Sequence, residues 1–192
     1  REEGLLAEKL GCDSDGRPTL VVEGMGGRYA NVGRLYGDTA WIFEGQEIFK
    51  RAVLAMSGAC AEVLAQCGYG PEDVGLVVPH QANLRIIEAV AKRVGAPVEN
   101  VFVNVHRYGN MSAATVPVAL VEALEEGRVE PNSLLLLPAF GAGLTWCAHL
   151  VRWGHRVTPK GTTDVDLPPS DRTALEIVQG YLNKRAHRAE PA

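Results

Sequence analysis

Aromatic residues, cysteines and an excess of charge of either sign are all scarce in this sequence, and each scarcity excludes a class of protein. Phe, Trp and Tyr make up 6% of the 192 residues, and 19 Lys and Arg stand against 23 Asp and Glu, a net charge of -4. That balance is not the basic footprint of a DNA- or RNA-binding domain, so any polyanionic partner must meet a local patch. The four cysteines, Cys12, Cys60, Cys67 and Cys147, form no CxxC pair and repeat no spacing. This pattern fits reduced thiols in a cytoplasmic protein better than a disulfide framework. His106, His149, His155 and His187 show no HExxH or paired-carboxylate spacing, so no metal is expected. No flavin, nicotinamide or nucleotide motif is visible, and no cofactor is expected. The glycine cluster Gly24 to Gly27 lacks the strand–GxGxxG–helix order of a dinucleotide site.

The apolar content, 46%, is enough for one ordinary core and short for two, which excludes disorder and collagen-like repeats. The start, REEGLLAEKLG, lacks the basic and apolar blocks of a signal peptide, and the absence of an initiator Met reads as a beginning in mid-protein. One stretch, Leu134 to Val151, is about the length of a transmembrane helix. Pro138, Gly141 and Gly143 interrupt it, and Thr145 and His149 are polar, so it reads as two buried strands joined at a glycine turn.

The order of elements is informative. Thr19 to Glu23 reads as a short strand, and Gly24 to Gly27 as a turn. Gly45 to about Cys67 carries helical periodicity through Ile48, Ala52, Ala55 and Ala59. Gly75 to Pro79 is a strand of the doubly buried kind, followed by a helix with Ile87, Val90, Ala91 and Val94 on its inner stripe. Val101 to Val105 repeats the strand signal, Ser112 to about Glu125 the helix signal, and Leu134 to Ala139 and Leu144 to Trp153 supply two more strands. A β-α-β-α-β-β series predicts an α/β layer, with helices packed on a mixed sheet. Residues 154–169 read as a linker or surface-wrapping segment, and Ser170 as the cap of a tail helix with Leu175, Val178 and Leu182 on one face. That tail either docks or frays.

In such a sheet, reactive groups gather beyond the carboxyl ends of strands. Pro79 to Asn83 and Tyr108 to Ser112 hold that position, as does the loop Phe140 to Gly143, whose glycines allow close approach to the backbone. An imidazole nitrogen of His80 and the carboxamide of Asn110 can both donate to one developing oxyanion. Taken singly, a loop histidine more often serves structure, and an asparagine between glycine and a helix more often caps or turns.

The segments VVPHQANLRIIEAVAKRVG (Val77 to Gly95), HRYGNMSAATVPVAL (His106 to Leu120) and LPAFGAGLTW (Leu137 to Trp146) carry a family resemblance. In order and spacing they resemble β-ketoacyl-[acyl-carrier-protein] synthase III. The likeness runs from near residue 1 to Trp153 and implies the C-terminal half of that thiolase-fold enzyme, residues 1–153, followed by the segment 154–169 and the tail 170–192. The resemblance implies decarboxylative condensation of an acyl-CoA primer, usually acetyl-CoA, with malonyl-acyl-carrier protein, which starts fatty-acid synthesis through a Cys-His-Asn triad. His80 and Asn110 match the histidine and asparagine, which bind the thioester oxygen while an enolate forms. His106 is expected to support the loop that carries Asn110.

The resemblance also maps carrier contacts onto Gln81, Ala82, Asn83, Leu84 and Arg85, with Asn83 bonding the pantetheine arm and with Gly45, Phe49 and Ile86 lining the tunnel. Independently, Arg85 and Lys92 share a helix face with Arg93 beside them, and Lys50 and Arg51 extend the patch. This patch is either an ordinary solvated face or a landing site for an acidic carrier protein. The implied partners are the carrier protein, acyl-CoA, a second copy in a homodimer and the family's N-terminal half; no nucleic acid and no membrane span are expected.

The family nucleophile is a cysteine at a buried helix N-terminus in that N-terminal half. None of the four cysteines replaces it: Cys60 lies inside a helical pattern, where the helix dipole does not lower a thiol pKa. Cys60, Cys67 and Cys147 read as small buried residues and Cys12 as a loop thiol. The chain is therefore expected to be the second half of a longer polypeptide, or else to pair with a separate one, because a half-sheet alone exposes a large apolar face. A non-catalytic partner subunit and a ketosynthase of secondary metabolism with a different primer are the alternatives.

Overall fold

The computed structural model describes residues 3–22, 41–158, 161 and 170–179. They fall into two compact units, 1–159 and 160–192. The expected turn at Gly24 to Gly27, most of the linker and Leu182 lie outside the described residues.

The first unit is built on a four-stranded mixed sheet of β1 (Gly4–Cys12), β4 (Leu76–Val77), β5 (Leu134–Gly141) and β6 (Thr145–Arg152), in the order β1-β6-β5-β4. The pairs β1–β6 and β6–β5 are antiparallel, and the pair β5–β4 at the other edge is parallel. A separate two-stranded ribbon joins β2 (Leu20–Val22) to β3 (Trp41–Phe43). The apolar run of β5 is explained by burial on both faces. Leu134 and Leu136 pack with Ala59, Cys60, Val63 and Leu64 of helix α1 (Gly45–Cys67), whereas Leu135 packs with Ala119 and Ala123 of helix α4 (Thr115–Glu125). Val77 takes the α1 side, and its neighbours Leu76 and Val78 the α4 side. The period-2 alternation of a strand thus places a helix on each face of the sheet.

Helix α1 buries Ile48, Ala52, Met56, Ala59, Cys60 and Val63 along one stripe. It and α2 (Leu84–Val94) both end at a glycine in the left-handed region, Gly68 at φ 71° and Gly95 at φ 83°, where a side chain is disfavoured. The strand β1 is not foreseen by the sequence: it is an edge strand with exposed and half-buried positions, and a register shift between Leu5 and Ala7 breaks its alternation. Cys12 accordingly ends a strand instead of lying in a loop. In the second unit, residues 174–179 are helical. Thr173 caps that helix, not Ser170: the Glu176 N–H donates to Thr173 Oγ1 at 3.2 Å, and the Thr173 N–H returns a bond to the Glu176 carboxylate at 2.7 Å.

The expected strand Val101 to Val105 is reduced to one parallel bridge between Val101 and Val77. A side chain explains why. Gln81 is fully buried; its amide oxygen accepts the N–H groups of Asn104 (2.9 Å) and Val105 (3.2 Å), and its NH₂ donates to the carbonyls of Pro79 (2.8 Å) and Phe102 (3.1 Å). The chain beyond Phe102 is tied to that amide in place of a ladder, and turns into the short helix α3 (Val105–Tyr108).

Glu122 of α4 completes the tie. It accepts from Asn104 Nδ2 at 2.8 Å and from the Tyr108 hydroxyl, and pairs with Arg107 at 3.2 Å. The Tyr108 bond, aided by Asn104 and the Arg107 charge, holds the Glu122 carboxyl below its usual range against the opposing effect of burial. Asn104, Arg107 and Tyr108 thus hold the approach to Asn110, and the exposed His106 on α3 adds its charge to those that lower the Glu122 pKa. Replacing Gln81 by Leu leaves two carbonyls and two N–H groups buried without partners and is expected to cost about 3 kcal/mol. Urea unfolding measures it; a change under about 0.5 kcal/mol would contradict this assignment.

Candidate active site

The parallel pairing of β4 with β5 runs past the last residue of β4: Val78 N–H donates to the Leu136 carbonyl at 2.9 Å, and His80 N–H to that of Pro138 at 2.8 Å. His80 therefore stands at the carboxyl edge of the sheet, held by the neighbouring strand. Its Nδ1 lies 2.5 Å from Thr115 Oγ1, the first residue of α4. Burial pushes its pKa below the ordinary 6.5, so the ring is neutral near pH 7 and offers a single N–H.

Asn110 follows α3 and Gly109, which turns the chain at φ 66°. Its Oδ1 accepts the Ser112 N–H at 2.9 Å. Only the oxygen of an amide can accept that proton, so the NH₂ half is left to donate elsewhere. The side chain is exposed. His80 and Asn110 line one open cleft of about 1520 Å³.

Most of the residues singled out in the sequence meet there. Ala82, Asn83, Arg85 and Ile86 line the cleft, as do Gly45, Phe49 and Lys50 of α1 and the hairpin tip Phe140 to Ala142. Asn83 also caps α2, its Oδ1 accepting the Arg85 N–H at 2.9 Å, which leaves its NH₂ for the cleft. Leu20, Val22, Trp41 and Phe43 of the ribbon give the remaining wall an apolar character.

Other expectations are corrected. Gln81 is fully buried, with both ends of its amide engaged inside the protein, so it does not face a carrier. Leu84, Lys92 and Arg93 lie outside the cleft but exposed on α2, where a surface contact needs them, and the Arg93 Nε donates to Ser57 of α1 at 3.2 Å. Arg51 is not an unengaged member of the basic patch: it is paired with Asp13 and with Glu47 at 2.8 Å. Among the described residues, Lys50 and Arg85, both exposed, are the cations at the cleft.

Two of the thiols, Cys60 and Cys147, are poor nucleophiles. Burial, with Cys147 nearby, pushes Cys60 up to about 12, and burial raises Cys147 on the cleft wall as well. Cys67, at the end of α1, is half-buried. Among the described residues no group of three His, Cys, Asp or Glu side chains is placed to hold a metal, and no helix is long and apolar enough to cross a membrane. Sequence reasoning missed Thr115 and Glu122. Their signal is a polar residue on the buried side of a helix otherwise rich in Val, Ala and Leu.

The fold and cleft have known counterparts. A family model described as 3-oxoacyl-[acyl-carrier-protein] synthase III, C terminal, matches residues 64–153. A β-ketoacyl-[acyl-carrier-protein] synthase III of Vibrio cholerae is 46% identical over 97% of this chain and 52% of its own length. The solved synthase III structures from Thermus thermophilus and Aquifex aeolicus superpose with TM-scores of 0.71 and 0.69. They are 42% and 41% identical, each match covering 80% of this chain, and 47% and 46% of theirs. The chain thus spans about half the length of the relatives it matches. It shares their thiolase-like α/β architecture, and its sequence is similar to the C-terminal region of 3-oxoacyl-[acyl-carrier-protein] synthase III.

Proposed function

We propose that the complete protein containing this region is an acyltransferase of fatty-acid initiation, a cytoplasmic enzyme that condenses an acyl-CoA primer with malonyl-acyl-carrier protein. The family's N-terminal half, in the same or a separate polypeptide, supplies the cysteine that carries the primer as a thioester. The bond between the malonyl α-carbon and its carboxylate breaks, CO₂ leaves, and the electron pair forms an enolate whose α-carbon attacks the acyl thioester. The cysteine thiolate departs, and the 3-oxoacyl chain stays on the carrier. His80 and Asn110 donate to the thioester oxygen as it gains charge. The reaction uses these side chains and the substrates alone, without a metal or cofactor.

One observation carries this reading: two neutral donors, the imidazole of His80 and the amide NH₂ of Asn110, belong to one cleft at the carboxyl edge of the sheet. Donors of this kind bind a developing oxyanion more strongly than a ground-state carbonyl, and so lower the barrier. A neutral imidazole also avoids anchoring the malonyl carboxylate that has to leave. The apolar wall beside them suits an acyl chain and disfavours water.

In the complete enzyme, His80→Ala and Asn110→Ala are each expected to lower malonyl decarboxylation about 100-fold or more. Normal condensation by both variants would leave only a non-catalytic role for this region. The neutral ring has a titration signature. An NMR titration should place the His80 midpoint below 6.5. Because the unfolded chain takes up that proton first, the stability contribution is complete above 6.5 and is lost as pH falls through the folded midpoint. A midpoint at or above 6.5 contradicts the environment assigned to the ring.

Arg85 and Lys50 give an acidic protein a local positive rim at the cleft, suited to steering an acidic carrier. Arg85→Glu is expected to reduce kcat/KM for malonyl-carrier protein about tenfold, while primer transfer from acyl-CoA changes little. Equal loss in the two half-reactions argues against a carrier contact.

A further inference from the structure

We propose that Thr115 is a positioning residue that sets the tautomer of His80, its hydroxyl proton directed to Nδ1 so that Nε2 carries the N–H offered to the substrate oxygen. The inference rests on the oxyanion reading of His80 and adds the group that makes that reading chemically workable. A neutral imidazole has one N–H and one bare nitrogen, and only the tautomer protonated at the substrate-facing nitrogen can donate. If Nδ1 held the proton, Nε2 would meet a developing oxyanion with a lone pair.

The placement of the Thr115 hydroxyl favours the first of these states. The Thr115 hydroxyl has one proton and two acceptors within reach, His80 Nδ1 at 2.5 Å and the Ser112 carbonyl at 3.0 Å. That carbonyl already receives the backbone N–H of Thr115 itself, so it is satisfied without the hydroxyl. The imidazole nitrogen is nearer, and a better acceptor than an engaged carbonyl. Thr115 is completely buried, so water does not replace it as a partner. As the first residue of α4 it is fixed by the helix, which the Glu122 contacts tie to the segment leading to Asn110. One residue thus joins the loops of both donors.

The test uses the complete enzyme with ¹⁵N-labelled histidine. NMR of the wild type should show neutral His80 protonated on Nε2. Thr115→Val keeps the shape and removes the proton; it should shift His80 toward the Nδ1–H form and lower kcat for malonyl-carrier decarboxylation about 100-fold. KM should stay within about twofold, because the lost interaction belongs to the transition state. Thr115→Ser, which retains the hydroxyl, should restore both the tautomer and the rate.

A wild-type ring protonated on Nδ1 overturns the inference, and that measurement stands even if the valine variant does not fold. A Thr115→Val enzyme that loses rate with an unchanged tautomer also overturns it, since the residue would then be merely structural; so does one that keeps the wild-type rate. Decarboxylation surviving in His80→Ala fails the parent reading instead, whatever the tautomer proves to be.

Discussion

A parallel strand pair brings two chain ends to the same edge of a sheet, but the ladder does not fix how far apart the following loops stand. Here the buried Gln81 amide does, with hydrogen bonds to the strand that carries His80 and to the segment that leads to Asn110. An amide is suited to this because it offers two donors and an acceptor with two lone pairs, so both loops are joined without a buried charge. Glu122 then clamps the second loop from α4 through Asn104, Tyr108 and Arg107. The two donors are held from behind by groups that touch no substrate, which is how a rigid site is built on otherwise variable loops.

The same economy appears in the electrostatics of the cleft. Its wall is largely apolar, the histidine is kept neutral by burial, and the asparagine commits only its oxygen to the backbone. Among the described residues, a ligand meets the neutral N–H donors of His80, Asn110 and Asn83, with Lys50 and Arg85 as cations at the rim. The same burial raises the pKa of Cys60 and of Cys147 and keeps both protonated. In the reaction proposed for the complete protein, the nucleophile comes from the N-terminal half and this region provides the pocket for the charge that appears during decarboxylation.

Much of this was legible in the sequence because the interior elements have strong patterns. The continuous apolar run of β5, the stripes of α1 and α2 and the polar segments after Val78 and Tyr108 each follow from burial on one or both sides. The resemblance carried by PHQAN and GNMS then named His80 and Asn110. What was illegible depends on tertiary contacts. The edge strand β1 mixes polar and apolar residues around a register shift. Val101 to Val105 has strand composition, but its backbone is captured by Gln81. Gln81 itself, in a polar loop motif, reads as a surface contact until its burial is known. Thr115 and Glu122 are invisible as site residues without the partners that folding brings to them.

The central claim concerns one oxygen atom, and a structure of the complete enzyme with a malonyl thioester analogue that cannot lose CO₂ tests it most directly. The account predicts that the thioester oxygen lies about 3 Å from both His80 Nε2 and Asn110 Nδ2, with the carboxylate away from the imidazole. A bound analogue whose oxygen contacts neither group, or whose carboxylate occupies the place between them, would contradict it.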